Sequence, residues 1–253
     1  MGGKVGFPGY LKKPKIFKSM EVSEMFLRKI KLIAFILSVF PLILLIFPAS
    51  SISREAAPQE VIRAAIDGLG PFLEAIPSQD LEHYGFASSE DLTQATLGKP
   101  FKVYTITPDK ILTSGQEMKL SSLISPTGLW FFPVVCRGKV RTILTVDFVN
   151  GQWKAVAIGS SRLAKQLETV ENKWLESDGY DHQLIRIYQA QSDFVAVSKE
   201  RTLKIVPLES AAVALKLKKV IEGTYGLYSP SEIIPKLAPV VRENLQLHQA
   251  FED

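Results

Sequence analysis

The chain has 253 residues, of which 46% are hydrophobic and 22% charged, a composition typical of a globular protein with one large domain or two small ones. Its net charge of +4 would suit nucleic-acid binding, but residues 1–31 hold eight Lys or Arg and two Glu, and residues 32–53 carry no charge. Residues 54–253 therefore carry a net charge of −2. A phosphate backbone is bound by clustered cations, so we predict no nucleic-acid partner.

Residues 32–47 form an uncharged run in which only Ser38 is polar. As an α-helix this run would span about 24 Å, short of a hydrocarbon core of about 30 Å, whereas continuation to Ile52 makes it long enough. Basic residues precede the run, which favours a cytoplasmic N-terminus. We interpret residues 28–52 as a signal peptide or a membrane anchor, which places residues 54–253 outside the cytoplasm.

Cleavage and retention of this leader are equally compatible with the sequence. Ala49 and Ser51 are small residues at the spacing of a signal-peptidase site, which would release a secreted protein. Retention would instead leave a single-pass protein held in the membrane through residues 28–52. Residues 1–27 form a basic N-terminal region, and Met25, which would give a compact basic start to the leader, or Met20 is favoured over Met1 as the initiator.

A short linker, Ser50–Pro58, leads into the exported part, and a helix with an apolar stripe is predicted to begin near Pro58. This helix should break or kink at three unfavourable residues, Gly68, Gly70 and Pro71. Ser88 and Asp91 have the spacing of a capping pair, which predicts a short helix that ends before Gly98.

Alternating or continuous apolar residues predict a first group of strands at 101–106, 129–136, 139–149 and 152–159. Asn150-Gly151 and Arg137-Gly138 should form tight hairpin turns, which makes the last three strands an antiparallel meander. The pattern of the third strand predicts that one face holds its alternate residues, Val140, Thr142, Leu144, Val146 and Phe148.

A helix over 161–176 should follow, and then a second group of strands at 183–190, 193–198 and 202–207. Further helices are predicted over 209–221 and after a capping box that begins at Ser229. The turns within each group are too short for parallel crossovers, so the fold class is α+β with a mainly antiparallel sheet. We expect one curved sheet with helices on one face, or alternatively two lobes divided near 176–182.

Motifs of catalysis and metal binding are missing from the sequence. The three histidines do not have the spacing of zinc ligands, and Cys136 is the only cysteine. There is no G-x-S-x-G elbow and no phosphate-binding glycine loop. We therefore predict no metal and no cofactor, and a non-catalytic binding or envelope-associated module. The alternatives are an envelope hydrolase assembled from Ser160, Asp181 and His182, and a membrane-tethered partner of another envelope protein.

Aromatic residues are the candidate ligand-binding groups. Trp130, Trp153 and Tyr104 lie on predicted strands of the first group, and His182 precedes the second group. With neighbouring phenylalanines they could form the floor of a groove for a peptide or a glycan. The same residues are typical of a sheet core, which is the reading we favour. On that reading Trp153 should be buried beneath the helix at 161–176.

Overall fold

The computed structural model describes residues 54–113, 119–200, 202–218 and 225–252. The leader at residues 28–52 and the basic region at residues 1–27 lie outside the described residues, so their interpretation stays a prediction. Among the helices that are described, none is both long enough and apolar enough to cross a bilayer.

Eight helices and eight strands are described, numbered here in chain order. The helices are α1 Gln59–Glu74, α2 Ser89–Thr93, α3 Pro108–Leu112, α4 Leu120–Leu123, α5 Ser161–Lys173, α6 Glu209–Ala214, α7 Pro230–Ile233 and α8 Ala238–Glu252. The strands are β1 Thr96–Leu97, β2 Phe101–Ile106, β3 Ile124–Cys136, β4 Lys139–Val149, β5 Gln152–Gly159, β6 Asp181–Ile187, β7 Ser192–Lys199 and β8 Thr202–Pro207. Short 3-10 turns occur at Ser78–Asp80, Glu176–Asp178, Tyr188–Ala190 and Ile234–Leu237.

The strands form a single mixed sheet in the order β5-β4-β3-β2-β6-β7-β8, with β1 paired to β3. Strands β3–β5 and β6–β8 each form an antiparallel meander, and β2 joins the two groups by pairing parallel to β6. The predicted α+β class with an antiparallel-rich sheet is confirmed. The strands that precede residues 176–182 and those that follow them belong to the same sheet. The sequence also allowed a boundary between two lobes at this point.

The two predicted hairpin turns are present. Asn150 and Gly151 have φ values of 53° and 79°, and Arg137 and Gly138 have φ values of 53° and 70°. Positive φ at both central residues is the geometry that matches the right-handed twist of the flanking strands. These turns therefore set the register of the β3–β4–β5 meander.

Helices cover both faces of the sheet, so the expectation of helices on one face was wrong. On one face Trp130 of β3 packs in a core cluster with Val61 of α1. On the opposite face Phe131 packs in a second cluster with Leu167 of α5. The reason is visible in β3, whose second half is apolar at nearly every position and so requires cover on both sides. A third cluster joins the β6–β8 half to α7 and α8.

The first helix is continuous, so the break predicted at Gly68, Gly70 and Pro71 is not present. Helix α1 runs through Gly68 and Gly70 and ends three residues after Pro71. Gly68 faces β5 so closely that a Cβ atom at this position would lie 2.2 Å from the Cβ of Ala155. The glycine therefore permits the close approach of helix and sheet and does not interrupt the helix.

Bulges break the single face predicted for β4. The register between β3 and β4 shifts near Val134, where β4 carries one extra residue. Because a one-residue shift turns the following side chains to the other face, Val140 packs with the α5 cluster and not with Leu144. At the other end of β4, Phe148 is 53% exposed.

Several predicted element boundaries also differ from those observed. Helix α5 ends at Lys173 and α6 at Ala214, both earlier than the apolar patterns indicated. The left-handed conformation of Lys216, with φ of 53°, is incompatible with continuation of α6. The capping box at Ser229 is confirmed, since the Ser229 N–H donates to the Glu232 carboxylate at 2.7 Å.

Candidate functional site

A cleft of about 670 Å³ opens between α5, α6, α8 and the turn that joins β6 to β7. We call it the α5–α6 cleft. Its lining combines charged, hydroxyl and aliphatic side chains from these elements, including Arg162, Arg186, Asp193, Ser210 and Val213.

An ion pair forms the sheet side of the cleft. Arg186 and Asp193 are directly opposite each other on β6 and β7. The Arg186 guanidinium donates to the two Asp193 oxygens at 2.7 and 3.0 Å, a bidentate arrangement that fixes both side chains. The Asp193 N–H donates to the Ser210 hydroxyl at 2.9 Å, which ties the start of α6 to the same pair.

The helix side of the cleft is more exposed and partly apolar. The Glu209 N–H donates to the Gln166 side-chain oxygen at 2.6 Å and so joins α5 to α6. Arg162 lies 3.8 Å from the Glu209 carboxylate, and its side chain is 83% exposed. Val213 adds an aliphatic side chain that is 73% exposed.

The cleft does not have the arrangement of an activated nucleophile. Among the described residues that line it, none is histidine or cysteine. The Asp193 carboxylate is held by Arg186, and the Ser210 hydroxyl accepts the Asp193 N–H and donates to the Asp193 carboxylate only across a long 3.5 Å contact. A serine needs an adjacent base within hydrogen-bond reach to attack a substrate. The geometry is that of a binding surface with donors and acceptors held in place.

A second group of polar residues surrounds Arg54, and we call Arg54, Lys99, Glu171, Glu176 and His182 the Arg54 cluster. The Arg54 side chain is only 3% exposed. Its guanidinium donates to Glu171 at 2.5 Å, to Glu176 at 3.2 Å, and to the carbonyl oxygens of Pro100 and Lys99 at 2.8 and 2.6 Å. It also lies 3.6 Å from the centroid of the Phe101 ring.

Glu55, which follows Arg54, also binds side chains of the sheet. Glu55 accepts hydrogen bonds from Lys102 at 2.8 Å and from the Tyr104 hydroxyl at 3.0 Å. Burial and the Glu55 carboxylate raise the pKa of Tyr104 to about 12, so this hydroxyl stays protonated. Residues 54–57, the arm, are therefore bound to the sheet although they have no regular secondary structure.

The titratable groups of the Arg54 cluster are perturbed in different directions. Burial raises the pKa of Glu171 despite the opposing charge of Arg54. Burial also disfavours ionisation of Glu176, but the bonds from Lys99 and Arg54 bring its pKa below the ordinary value. Burial, and then the positive charge of Arg54, lower the pKa of His182, which is therefore neutral at physiological pH.

The four predicted ligand-binding residues do not meet in an open groove. Trp130 and His182 are buried, with 2% and 0% of their surface exposed, and Tyr104 is engaged by the arm. Trp153 is half-buried in the cluster beneath α1 and lies 5.2 Å from the Phe148 ring. It is thus covered by α1 and not by the helix at 161–176 as expected, because α5 packs on the opposite face.

Ser160 and His182, two residues of the alternative hydrolase site, belong to different parts of the structure. Ser160 lines the α5–α6 cleft, whereas His182 belongs to the Arg54 cluster. Ser160 has a left-handed conformation with φ of 62° and begins α5. Ser160 and His182 therefore belong to different sites and do not form the serine–histidine pair that this alternative requires.

Sequence reasoning singled out Ser160 and His182 but missed the charged residues that form most of both sites. Arg186 and Asp193 carry opposite charges on two strands that were predicted to be neighbours, and this cross-strand pairing was the available signal. Arg54 offered no comparable signal, because Glu171 lies 117 residues away in sequence.

Comparison with known proteins finds no relative of this chain. No family model matches it, and no curated protein or solved structure matches it either. We therefore infer function from the geometry of the α5–α6 cleft and the Arg54 cluster.

Proposed function

We propose that residues 54–252 form a non-catalytic binding module that holds a short peptide segment in the α5–α6 cleft. The observation that carries this proposal is the cleft itself, an open depression whose volume of about 670 Å³ is large enough for a short peptide segment. Its polar groups are fixed by neighbouring bonds, and such preorganisation lowers the cost of binding.

The lining favours a peptide over a glycan. The more exposed Arg162 and Glu209 offer a donor and an acceptor beside the Arg186–Asp193 pair, so both charge signs are available to a peptide's backbone and side chains. Val213 supplies an apolar wall for an aliphatic side chain. Sugar rings usually stack on aromatic faces, and none of the described lining residues is aromatic.

We also propose that the module works outside the cytoplasm. The uncharged run and its basic flank favour export, with the module secreted or held through residues 28–52. Arg54 lies two residues after the end of this leader, and its buried bonds attach the arm to the sheet. A module anchored by the leader would therefore have almost no free linker between the membrane-spanning segment and its first attached residue.

The test is a peptide screen on the full chain purified in detergent, followed by a matched pair of variants. Val213→Asp places a charge on the cleft wall, and Ile66→Asp places the same charge on α1, where Ile66 is 62% exposed. We expect Val213→Asp to weaken binding of a selected peptide at least tenfold and Ile66→Asp to leave it unchanged. Equal effects of the two variants would contradict binding in the cleft.

The same screen distinguishes binding from hydrolysis. A peptide bound by a non-catalytic module should be recovered intact by mass spectrometry after prolonged incubation. Cleavage of the bound peptide that disappears on competition with an uncleavable analogue would support the hydrolase and overturn the proposal.

A further inference from the structure

The Arg54 cluster brings together three groups that are typical metal ligands. Glu171 lies near the end of α5, Glu176 in the following 3-10 turn, and His182 near the start of β6. We propose that Glu171, Glu176 and His182 form a site for a divalent transition-metal cation such as Zn²⁺, and that Arg54 occupies this site as an internal cation. The spacing of these residues along the sequence did not reveal the site.

The geometry is close to that of a coordination sphere. One potential ligand atom from each of the three residues lies within 4.8 Å of the other two. Zinc bonds of about 2.0–2.2 Å to oxygen and nitrogen place tetrahedral ligand atoms about 3.5 Å apart. Side-chain movements of about 1 Å would therefore complete the site without a change in the backbone.

His182 is the observation that points to a ligand. Its side chain is fully buried, and neither ring nitrogen makes a hydrogen bond of ordinary geometry in the described part of the chain, although the Trp174 backbone is close enough to interact with one of them. A buried polar group without a partner is costly, and a metal bond would satisfy one nitrogen. One imidazole with two carboxylates suits Zn²⁺ better than Mg²⁺, which prefers oxygen ligands and retains its waters.

Arg54 supplies the positive charge that the two carboxylates require. Its guanidinium contacts both Glu171 and Glu176, and the arm that carries it has no helix or strand to unfold when it leaves. Removal of Arg54 alone would leave the partly buried Glu171 without its cation, which is unfavourable, whereas Glu176 would keep its ion pair with Lys99. A divalent cation would offset that loss, so metal and arm compete, and metal binding releases the residues next to the leader.

The first experiment removes the competing cation. The full chain in detergent carries Arg54→Ala, and its melting temperature is followed during titration with Zn²⁺ or Mg²⁺. We expect saturating Zn²⁺ to raise the melting temperature by about 5 °C or more, as ligands at well above their Kd do. Mg²⁺ should have no effect. Addition of Glu176→Gln, at a half-exposed position, should abolish the response to Zn²⁺. A response that survives Glu176→Gln, or no response in Arg54→Ala, overturns the proposal.

A second experiment uses the unaltered protein. It tests whether metal displaces Arg54 even if the Arg54→Ala variant does not fold. Trypsin cleaves after arginine, and Arg54 is protected while its side chain is buried. Zn²⁺ should increase the rate of cleavage after Arg54 several-fold, whereas Mg²⁺ should not. An unchanged cleavage rate in saturating Zn²⁺ would show that metal does not displace the arm and would overturn the proposal.

Discussion

Asp91 illustrates how a single carboxylate secures the loop before α2. The residue is 2% exposed, and one of its oxygens accepts the Ala87 N–H at 2.9 Å. The other oxygen lies 3.3 Å from the guanidinium of Arg137, which belongs to the β3–β4 turn. The bond from Ala87, opposed by burial and assisted by Arg137, holds the pKa of Asp91 below its usual value.

This lowered pKa predicts an acid-dependent loss of stability. The ionised Asp91 stabilises the folded state at pH values above its unfolded pKa of about 4, and the contribution is lost as the pH falls through the lower folded pKa. Asp91→Asn should therefore destabilise the protein at pH 7, and the difference from wild type should shrink at pH 3. Urea unfolding at the two pH values measures this, with Asp67→Asn on the exposed face of α1 as the control. A difference independent of pH would contradict the role of the charge.

The burial of Arg54 could not be predicted from the sequence. The sequence places it in the Ser50–Pro58 linker, where a charged residue is expected to be solvated. Its burial depends on Glu171 and Glu176, which reach it only after α5 has packed on the sheet. The environment of Cys136, by contrast, follows from its own apolar strand, in which it is fully buried.

At the scale of elements, α1 approaches β5 through a glycine, and this contact can be tested with two positions in one helix. Gly68→Ala would force a Cβ atom against Ala155, whereas no atom lies within 4 Å of a Cβ at Gly70. Gly68→Ala should destabilise the protein by about 1–3 kcal/mol, because overpacking displaces the helix. Gly70→Ala should be neutral or stabilising by up to about 1 kcal/mol, because alanine favours helix.

Thermal or urea unfolding of the two variants checks this contrast. The two substitutions share the same change in helix propensity, so the difference between them reports the contact with Ala155. Equal free energies of unfolding for Gly68→Ala and Gly70→Ala would mean that α1 does not lie against β5 as described.

The β4–β5 hairpin provides a second test at this scale. Gly151 has φ of 79°, a conformation that costs other residues about 1–2 kcal/mol and β-branched residues more. Gly151→Val should lower the melting temperature, and Gly151→Asn should lower it less, since asparagine tolerates the left-handed region. A valine variant as stable as wild type would mean that the turn is placed wrongly.

The elements were predictable where the signal is local. Alternation of apolar residues and the Asn150-Gly151 pair located β4, the hairpin and β5 with their observed boundaries. The face of Val140 was not predictable, because it depends on a bulge in the pairing of β3 with β4. The short helices α3 and α4 carry too few residues to show a helical period.

At the scale of the whole molecule, the parallel pairing of β2 with β6 unites the two meanders. Val103 and Tyr104 of β2 lie beside Leu184 and Ile185 of β6, although β3, β4, β5 and α5 intervene in sequence. The turns within each meander indicate only antiparallel neighbours, so the sequence pattern could not reveal this contact. It places one face of the sheet under α5 and brings the α5–α6 cleft beside the β6–β7 turn.

The claim that the module works outside the cytoplasm is tested most directly by protease accessibility. The full chain with a C-terminal tag is expressed in cells whose cytoplasmic membrane is kept intact, and protease is added from outside. Secretion and anchoring through residues 28–52 both predict that the tag is digested while a cytoplasmic marker survives. Complete protection of the tag until the membrane is lysed would contradict export and the proposed site of action.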